Sequence, residues 1–276
     1  LAFSPNGDAN EIVGVANPLS AKFDAMRPSL VPGLLEAVAH NRRHGRRDVG
    51  LFEIGSRFTA QQGEVKAVAF AWTGNEAAEH WSGTGREVDF FDVKGTTERL
   101  CDALGSTISL TKADVPNLVP GQSALVDASG TTVGYLGQVT PAAVERAGAP
   151  RHDRIFVAEL DLDRLAAQSR TQEDRVRPLP RYPSILRDLS ILVAESLPAE
   201  NIRGTIQAAA DSMAAPLTAI GFFDRYKGKG VPDGSVSLSV RLTFQAGDRT
   251  LTDVEVQQAF DKILAALVSQ HGAVQR

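Results

Sequence analysis

Ser235-Val-Ser-Leu-Ser-Val-Arg-Leu-Thr-Phe244 alternates apolar and polar residues almost without a break. Val236, Leu238, Val240, Leu242 and Phe244 fall on one side of an extended chain, and Ser237, Ser239, Arg241 and Thr243 on the other. That is the pattern of a strand with one face on a core and one toward water. Working outward, Leu186–Val193 and Leu217–Tyr226 read as further strands, and Pro198–Ala210 and Thr252–Val268 as helices. The short tail after them can add an edge strand. The order β-α-β-β-α with a final β is the ferredoxin-like, or RRM-like, βαββαβ arrangement. Thr252-Asp-Val-Glu255 is a capping box at the start of the last helix. Val256, Phe260, Ile263, Leu264 and Leu267 share one face of that helix. With helices on one side, the other side of the sheet is expected to be a polar platform open to solvent, a common receiver of single-stranded RNA.

Upstream, Arg177-Pro-Leu-Pro-Arg-Tyr-Pro183 holds Pro178, Pro180 and Pro183, which forbid helix and stiffen the chain. The domain assignment is therefore 1–177, a linker at 178–182, and 183–276. The first domain reads as mixed α and β. Pro32 sits in the first turn of a helix through Leu34, Leu35, Val38 and Ala39. Val49–Phe58 and Val65–Trp72 read as strands joined at Gln61-Gln62-Gly63. Phe90–Leu104 reads as a helix closed by Gly105. Ala124–Asp127 and Val133–Val139 form a hairpin across Ala128-Ser129-Gly130. Ile155–Leu160 is a last strand before a short helix at Leu162–Ala167.

The 276 residues carry 29 Lys+Arg against 33 Asp+Glu, a formal charge of −4, with 43% hydrophobic and 22% charged residues. This is ordinary globular usage and excludes a fibrous or disordered chain. The balance also argues against a surface coated in positive charge for bulk nucleic-acid binding. No apolar run reaches the roughly 20 residues of a membrane span, so no membrane role is expected. A single cysteine, Cys101, permits no internal disulfide and suits a reducing cytoplasm. Leu1 is not an initiator methionine, and Leu1-Ala-Phe-Ser-Pro-Asn-Gly7 is neither a targeting segment nor a helix start. The chain is expected to be a piece of a longer polypeptide.

Catalytic patterns are sparse, and neither catalytic nor metal-binding residues are assigned. His40, His44, His80, His152 and His271 have no metal-ligand spacing. Gly83-Thr-Gly85 is a lone Gly-x-Gly, Gly121-Gln-Ser123 lacks the last glycine of a nucleophile elbow, and Asp161 and Asp163 read as helix-start charges. Arg42, Arg43, Arg46 and Arg47 suit RNA phosphate, an acidic partner surface or, equally, a solvated loop. More pointed is Asp224-Arg-Tyr-Lys-Gly-Lys-Gly230. By a period of two, Asp224 and Tyr226 share a side of their strand. A carboxylate can accept two hydrogen bonds from the guanine edge, and a tyrosine ring can stack on a base. A loop that only connects two strands is the plainer alternative.

Several ordered motifs together resemble one family. Tyr182-Pro-Ser-Ile-Leu-Arg-Asp-Leu-Ser190, Phe223-Asp-Arg-Tyr-Lys-Gly228, Ser237–Phe244 and Arg249-Thr-Leu-Thr-Asp253 resemble the ferredoxin-fold anticodon-binding domain that closes bacterial phenylalanyl-tRNA synthetase β subunits. Asn17-Pro-Leu-Ser20, Met26–Leu35, Leu51-Phe-Glu-Ile-Gly55, Val88–Gly95 and Val133-Gly-Tyr-Leu-Gly137 resemble the core module of the same family. The resemblance implies a class II synthetase-like antiparallel sheet with flanking helices that no longer catalyses. Where active class II enzymes place a phosphate-binding arginine this chain has Thr59, and Val88 stands where a Gly-x-Gly-x-x-Arg motif needs its arginine. It also implies that ATP, Mg2+ and phenylalanine are handled by an α subunit or by parts of β beyond these residues. The expected assembly is an α2β2 tetramer that aminoacylates tRNA-Phe, and nothing here matches the family's editing module. Asp224, Tyr226 and Ser237 correspond to residues that read the anticodon, chiefly a guanine. Arg187, Lys227, Lys229 and Arg241 are the weaker phosphate candidates, argued from charge and expected face, with a structural role the alternative for Arg241. A single-chain synthetase, or an RNA-binding and assembly module outside translation, are the alternatives.

Overall fold

The computed structural model describes residues 12–20, 24–77, 80, 81, 83, 85–168, 179–211 and 213–276. The chain divides into two compact units, Leu1–Asp174 and Arg175–Arg276. Arg177 and Pro178, where the sequence places the boundary, lie outside the described residues, as do Leu1–Gly7 and Thr84.

The first unit contains α1 (Val31–Arg43), β1 (Val49–Thr59), β2 (Gly63–Thr73), α2 (Phe90–Ala103), β3 (Ile108–Lys112), β4 (Leu118–Ala128), β5 (Thr131–Val139), α3 (Pro141–Arg146), β6 (Ile155–Asp161) and α4 (Leu162–Gln168). Its six strands form one sheet in the order β1-β2-β6-β5-β4-β3, with every neighbouring pair antiparallel. β2 shows why helices lie on both faces. Ala67, Ala69 and Ala71 pack with α1, while Val68 and Phe70 pack with Val93 and Cys101 of α2 and Leu165 of α4. The three alanines leave room for α1 to approach the sheet closely. α2 begins at Asp89, whose carboxylate accepts from the amides of Phe91 and Asp92, and Gly105 beyond its end has φ +73°. The sequence reading missed β3 and α3. Both are short, and six residues or fewer hold too little of a period to stand out, although Thr140-Pro141 is a helix-start signal for α3.

The second unit contains β7 (Ile185–Ala194), α5 (Ala199–Ala210), β8 (Leu217–Tyr226), β9 (Ser235–Phe244), α6 (Asp253–His271) and β10 (Val274–Gln275). Its antiparallel sheet runs β10-β7-β9-β8, so the alternating strand is central and the tail does form an edge. Leu189, Ile191, Val240, Leu242 and Phe244 meet Ile202 and Ile206 of α5 and Val256, Phe260, Ile263 and Leu267 of α6. Each such buried side chain contributes about 1.5–3 kcal/mol.

The N-terminus of α6 is held by the capping box. The Thr252 hydroxyl accepts from the Glu255 amide at 3.4 Å, and Glu255 accepts from the Thr252 amide at 2.9 Å. The Arg249 guanidinium, followed by these Thr252 bonds, holds the Glu255 carboxyl down to about 2. Because that value lies below the carboxyl's unfolded range, its contribution is present above that range and is lost as pH falls toward 2. Thr252→Ala is expected to cost about 1 kcal/mol of stability in urea unfolding, and an unchanged midpoint would show the cap to be idle.

Candidate nucleic-acid interface

Residues directly opposite in an antiparallel pair share a face, so the register of the second sheet sorts its side chains. Asp188, Ser190 and Leu192 of β7 stand opposite Arg241, Ser239 and Ser237 of β9. On the other flank, Gly221, Asp224 and Tyr226 of β8 stand opposite the same three residues. These residues make up the face away from α5 and α6. Asp224 and Tyr226 reach it only because β8 is bulged. Phe222 pairs with Val240 and packs in the core, the register then shifts, and Asp224 pairs with Ser239. Phe223 is the extra residue, and a bulge turns two successive side chains to one side. Accordingly its ring is 53% exposed and lies 5.1 Å from the guanidinium of Arg241, which is on the open face.

The expectation of an open polar platform needs correction along its middle. Ser237 and Ser239 are only 4% and 8% exposed, because short serines on a central strand sit below taller neighbours on both flanks. The Ser239 hydroxyl meets that of Ser190 at 2.9 Å. Over the Tyr226 ring lies the Arg276 guanidinium, 5.3 Å from the centroid. The Tyr226 hydroxyl donates to the Lys229 carbonyl at 3.4 Å, which ties the loop to the strand end. Asp224 is exposed and, among the described residues, has neither hydrogen bond nor ion pair. Asp224, Tyr226 and Ser237 are thus brought together on one face.

The four phosphate candidates divide. Lys227 binds Glu195 at 2.7 Å, with Arg225 on the same carboxylate at 3.4 Å, and the Lys227 bond holds the Glu195 carboxyl below its ordinary value. Arg241 makes a two-bond fork with Asp188 at 2.8 and 2.7 Å. That fork raises the arginine and lowers the carboxyl. Arg187 pairs across from core residue Leu242 and bonds Asp253 at the start of α6 at 2.7 Å, so it lies on the helix-covered side, away from the cluster. Lys229 has no side-chain partner among the described residues. These pairs are exposed and screened by solvent, so a phosphate can displace a carboxylate from Lys227.

In the first unit two arginines of the basic stretch, Arg42 and Arg43, have structural partners. Arg42 forks onto Asp153 at 2.6 and 2.7 Å and also bonds the carbonyls of Arg46 and Arg47, while Arg43 bonds the Gly148 carbonyl. Thr59 is buried, and its hydroxyl accepts from the Gln62 amide at 3.1 Å, closing the β1–β2 turn. Val88 is 1% exposed. A cavity of about 200 Å³ is lined by Arg57, Tyr135, Glu159, Asp161 and Arg164 among others. Glu159 accepts from the Leu30 amide at 2.7 Å and from the Tyr135 hydroxyl at 2.8 Å. Burial pushes its carboxyl up. Arg57 bonds Asp161 at 3.1 Å. The sequence reading passed over Glu159 and Arg57, which stand in strands and carry no motif. Among the described residues no group of three His, Cys, Asp or Glu is placed to hold a metal, and no helix is long and apolar enough to cross a membrane.

Two family models match the chain, one after the other. The phenylalanyl-tRNA synthetase beta chain CLM domain covers residues 2–162. The chain belongs to the phenylalanyl-tRNA synthetase β-chain family. In this β-chain segment the ferredoxin-fold anticodon binding domain covers residues 180–276, the unit that carries Asp224 and Tyr226. The phenylalanine–tRNA ligase beta subunit of Mannheimia succiniciproducens is 34% identical over 268 residues, 94% of this chain and 33% of the relative. That of Geobacillus kaustophilus is 35% identical over 274 residues, 96% of this chain and 33% of the relative. The chain therefore spans about a third of the length of these curated relatives. Phe223 and Arg276 are the residues of the candidate face that sequence reasoning missed, since neither a bulge nor an arginine folding back on a ring has a local pattern.

Proposed function

We propose that this chain is the C-terminal portion of the β subunit of a cytoplasmic phenylalanine–tRNA ligase, and that its second unit binds the anticodon loop of tRNA-Phe. The observation that carries the reading is the free Asp224 carboxylate beside the Tyr226 ring on the open face of an anticodon-binding fold. The carboxylate accepts from the Watson–Crick edge of a guanine, the ring stacks on that base or bonds it, and Ser237 bonds from the adjoining strand once the base opens the space above it. Lys227 and Lys229, in the loop after β8, neutralise backbone phosphate, and Arg241 can do so on the open face four residues along β9 from Ser237; Arg187 lies on the helix-covered side.

The first unit serves as an assembly partner for a catalytic α subunit in an α2β2 enzyme. Support comes from exposed apolar residues on its edge strand: Phe52 and Ile54 are 74% and 64% exposed and border an apolar groove that includes Trp72 and Leu100. ATP, Mg2+ and phenylalanine belong to α or to parts of β beyond these residues, consistent with Thr59 and Val88.

The test is filter binding of tRNA-Phe to the assembled α and β subunits, against a tRNA with another anticodon. Preference for tRNA-Phe is expected. Equal binding would favour a general RNA-binding module, and pyrophosphate exchange by this chain alone would overturn the non-catalytic reading. Lys229→Ala is expected to reduce the slope of log affinity against log salt by about 0.7–0.9, and an unchanged slope would remove Lys229 from the phosphate contacts.

A further inference from the structure

The open face of the second sheet carries a second aromatic site beside Asp224 and Tyr226. The bulge at Phe223 turns its ring out to the same side as Asp224, where it is 53% exposed. The Arg241 guanidinium lies 5.1 Å from the ring centroid and is held there by two bonds to Asp188, at 2.8 and 2.7 Å. Those bonds use Nε and Nη2, so Nη1 keeps its donors free among the described residues. Next to the ring on β8 is Gly221, also opposite Arg241, and a Cβ built there meets nothing within 4 Å. The face therefore offers an exposed ring, a flat cation fixed beside it, a free donor, and bare backbone with open space alongside.

The geometry points to a second nucleotide subsite, in which the base next to the guanine stacks on the Phe223–Arg241 pair over Gly221 while Arg241 Nη1 donates to that base or to its phosphate. Two residues of strand separate Phe223 from nearby Tyr226 in sequence order, Arg225 and Asp224, and sheets of this fold commonly stack two or three successive bases on their aromatics. Stacking needs no particular base, so this subsite adds affinity and orientation rather than sequence choice. The inference rests on the anticodon reading above.

The experiment uses the assembled α and β subunits and an anticodon stem-loop RNA carrying 2-aminopurine on either side of the guanine in turn. Fluorescence reports stacking of the labelled base, and anisotropy reports affinity. Phe223→Ala is expected to restore the fluorescence of one neighbouring base and weaken binding about tenfold, and Phe223→Trp to keep both near wild type. Gly221→Leu places its Cβ in open space and is expected to reproduce the loss with an unchanged urea midpoint, which separates a blocked subsite from a damaged fold. Unchanged fluorescence and affinity in both Phe223→Ala and Gly221→Leu, with Asp224→Ala still weak, would overturn the second subsite alone. Indifference to Asp224→Ala as well would instead overturn the anticodon reading on which it stands.

Discussion

Asp224→Ala is expected to weaken tRNA-Phe binding to the assembled synthetase by roughly 10- to 100-fold, leaving amino-acid activation almost unchanged. A side chain that makes two hydrogen bonds to a base edge contributes about 1–3 kcal/mol, and each 1.4 kcal/mol is a factor of ten. Asp224 suits that task because it is exposed and free of internal partners among the described residues, so binding breaks no ion pair to recruit it. Lys227 differs, since it must first leave Glu195 at 2.7 Å. Asp224→Asn should lose most of the same affinity, because its amide turns donors toward the donors of guanine. Filter binding supplies the affinity, and pyrophosphate exchange supplies the control. If the two substitutions left tRNA affinity intact, Asp224 would not be a base-reading residue.

The second large effect is expected in the first unit. Glu159→Ala removes the acceptor of both the Leu30 amide and the Tyr135 hydroxyl while leaving both groups buried. An unsatisfied buried donor costs about 1–3 kcal/mol, so the Leu30 amide, with the void, should cost about 2–3 kcal/mol, while the Tyr135 hydroxyl still has the Ser29 hydroxyl at 3.4 Å. Glu159→Gln keeps an acceptor for Leu30 and should cost far less. The pH dependence has a definite sign. Burial raises the Glu159 carboxyl above its unfolded value, so its contribution is complete below the unfolded range near 4.5 and declines as pH rises through the folded value. Glu159→Gln should flatten that decline. Urea unfolding followed between pH 4 and 8 checks both points, and an alanine variant of wild-type stability would show that Leu30 and Tyr135 find other acceptors.

Legibility followed the length of each pattern. β9 was readable to the residue because ten residues of alternation leave little freedom, and the α6 start was readable because a capping box joins two positions three apart. β3, with five residues, and α3, with six, were not. The basic stretch at Arg42–Arg47 could not be weighed from sequence, since the Asp153 that fixes Arg42 is 111 residues away. The same holds for Arg187, whose charge suggested phosphate but whose register sets it beside Asp253 on the helix side.

What the amino-acid order determined by itself was local: the longer strands and helices of both units, the ferredoxin-like order of the second, and the pairing of Asp224 with Tyr226 on one side of β8. Which side that is, only the tertiary structure decided. In an unbroken strand Asp224 and Tyr226 would follow Phe222 into the core beneath α5 and α6. Burying an unpaired carboxylate costs several kcal/mol, whereas Phe222 gains by burial. A single extra residue at Phe223 resolves the conflict by shifting the register against β9. The same shift turns the ring of Phe223 toward solvent, so the bulge that rescues the carboxylate also builds the surface on which a base can lie.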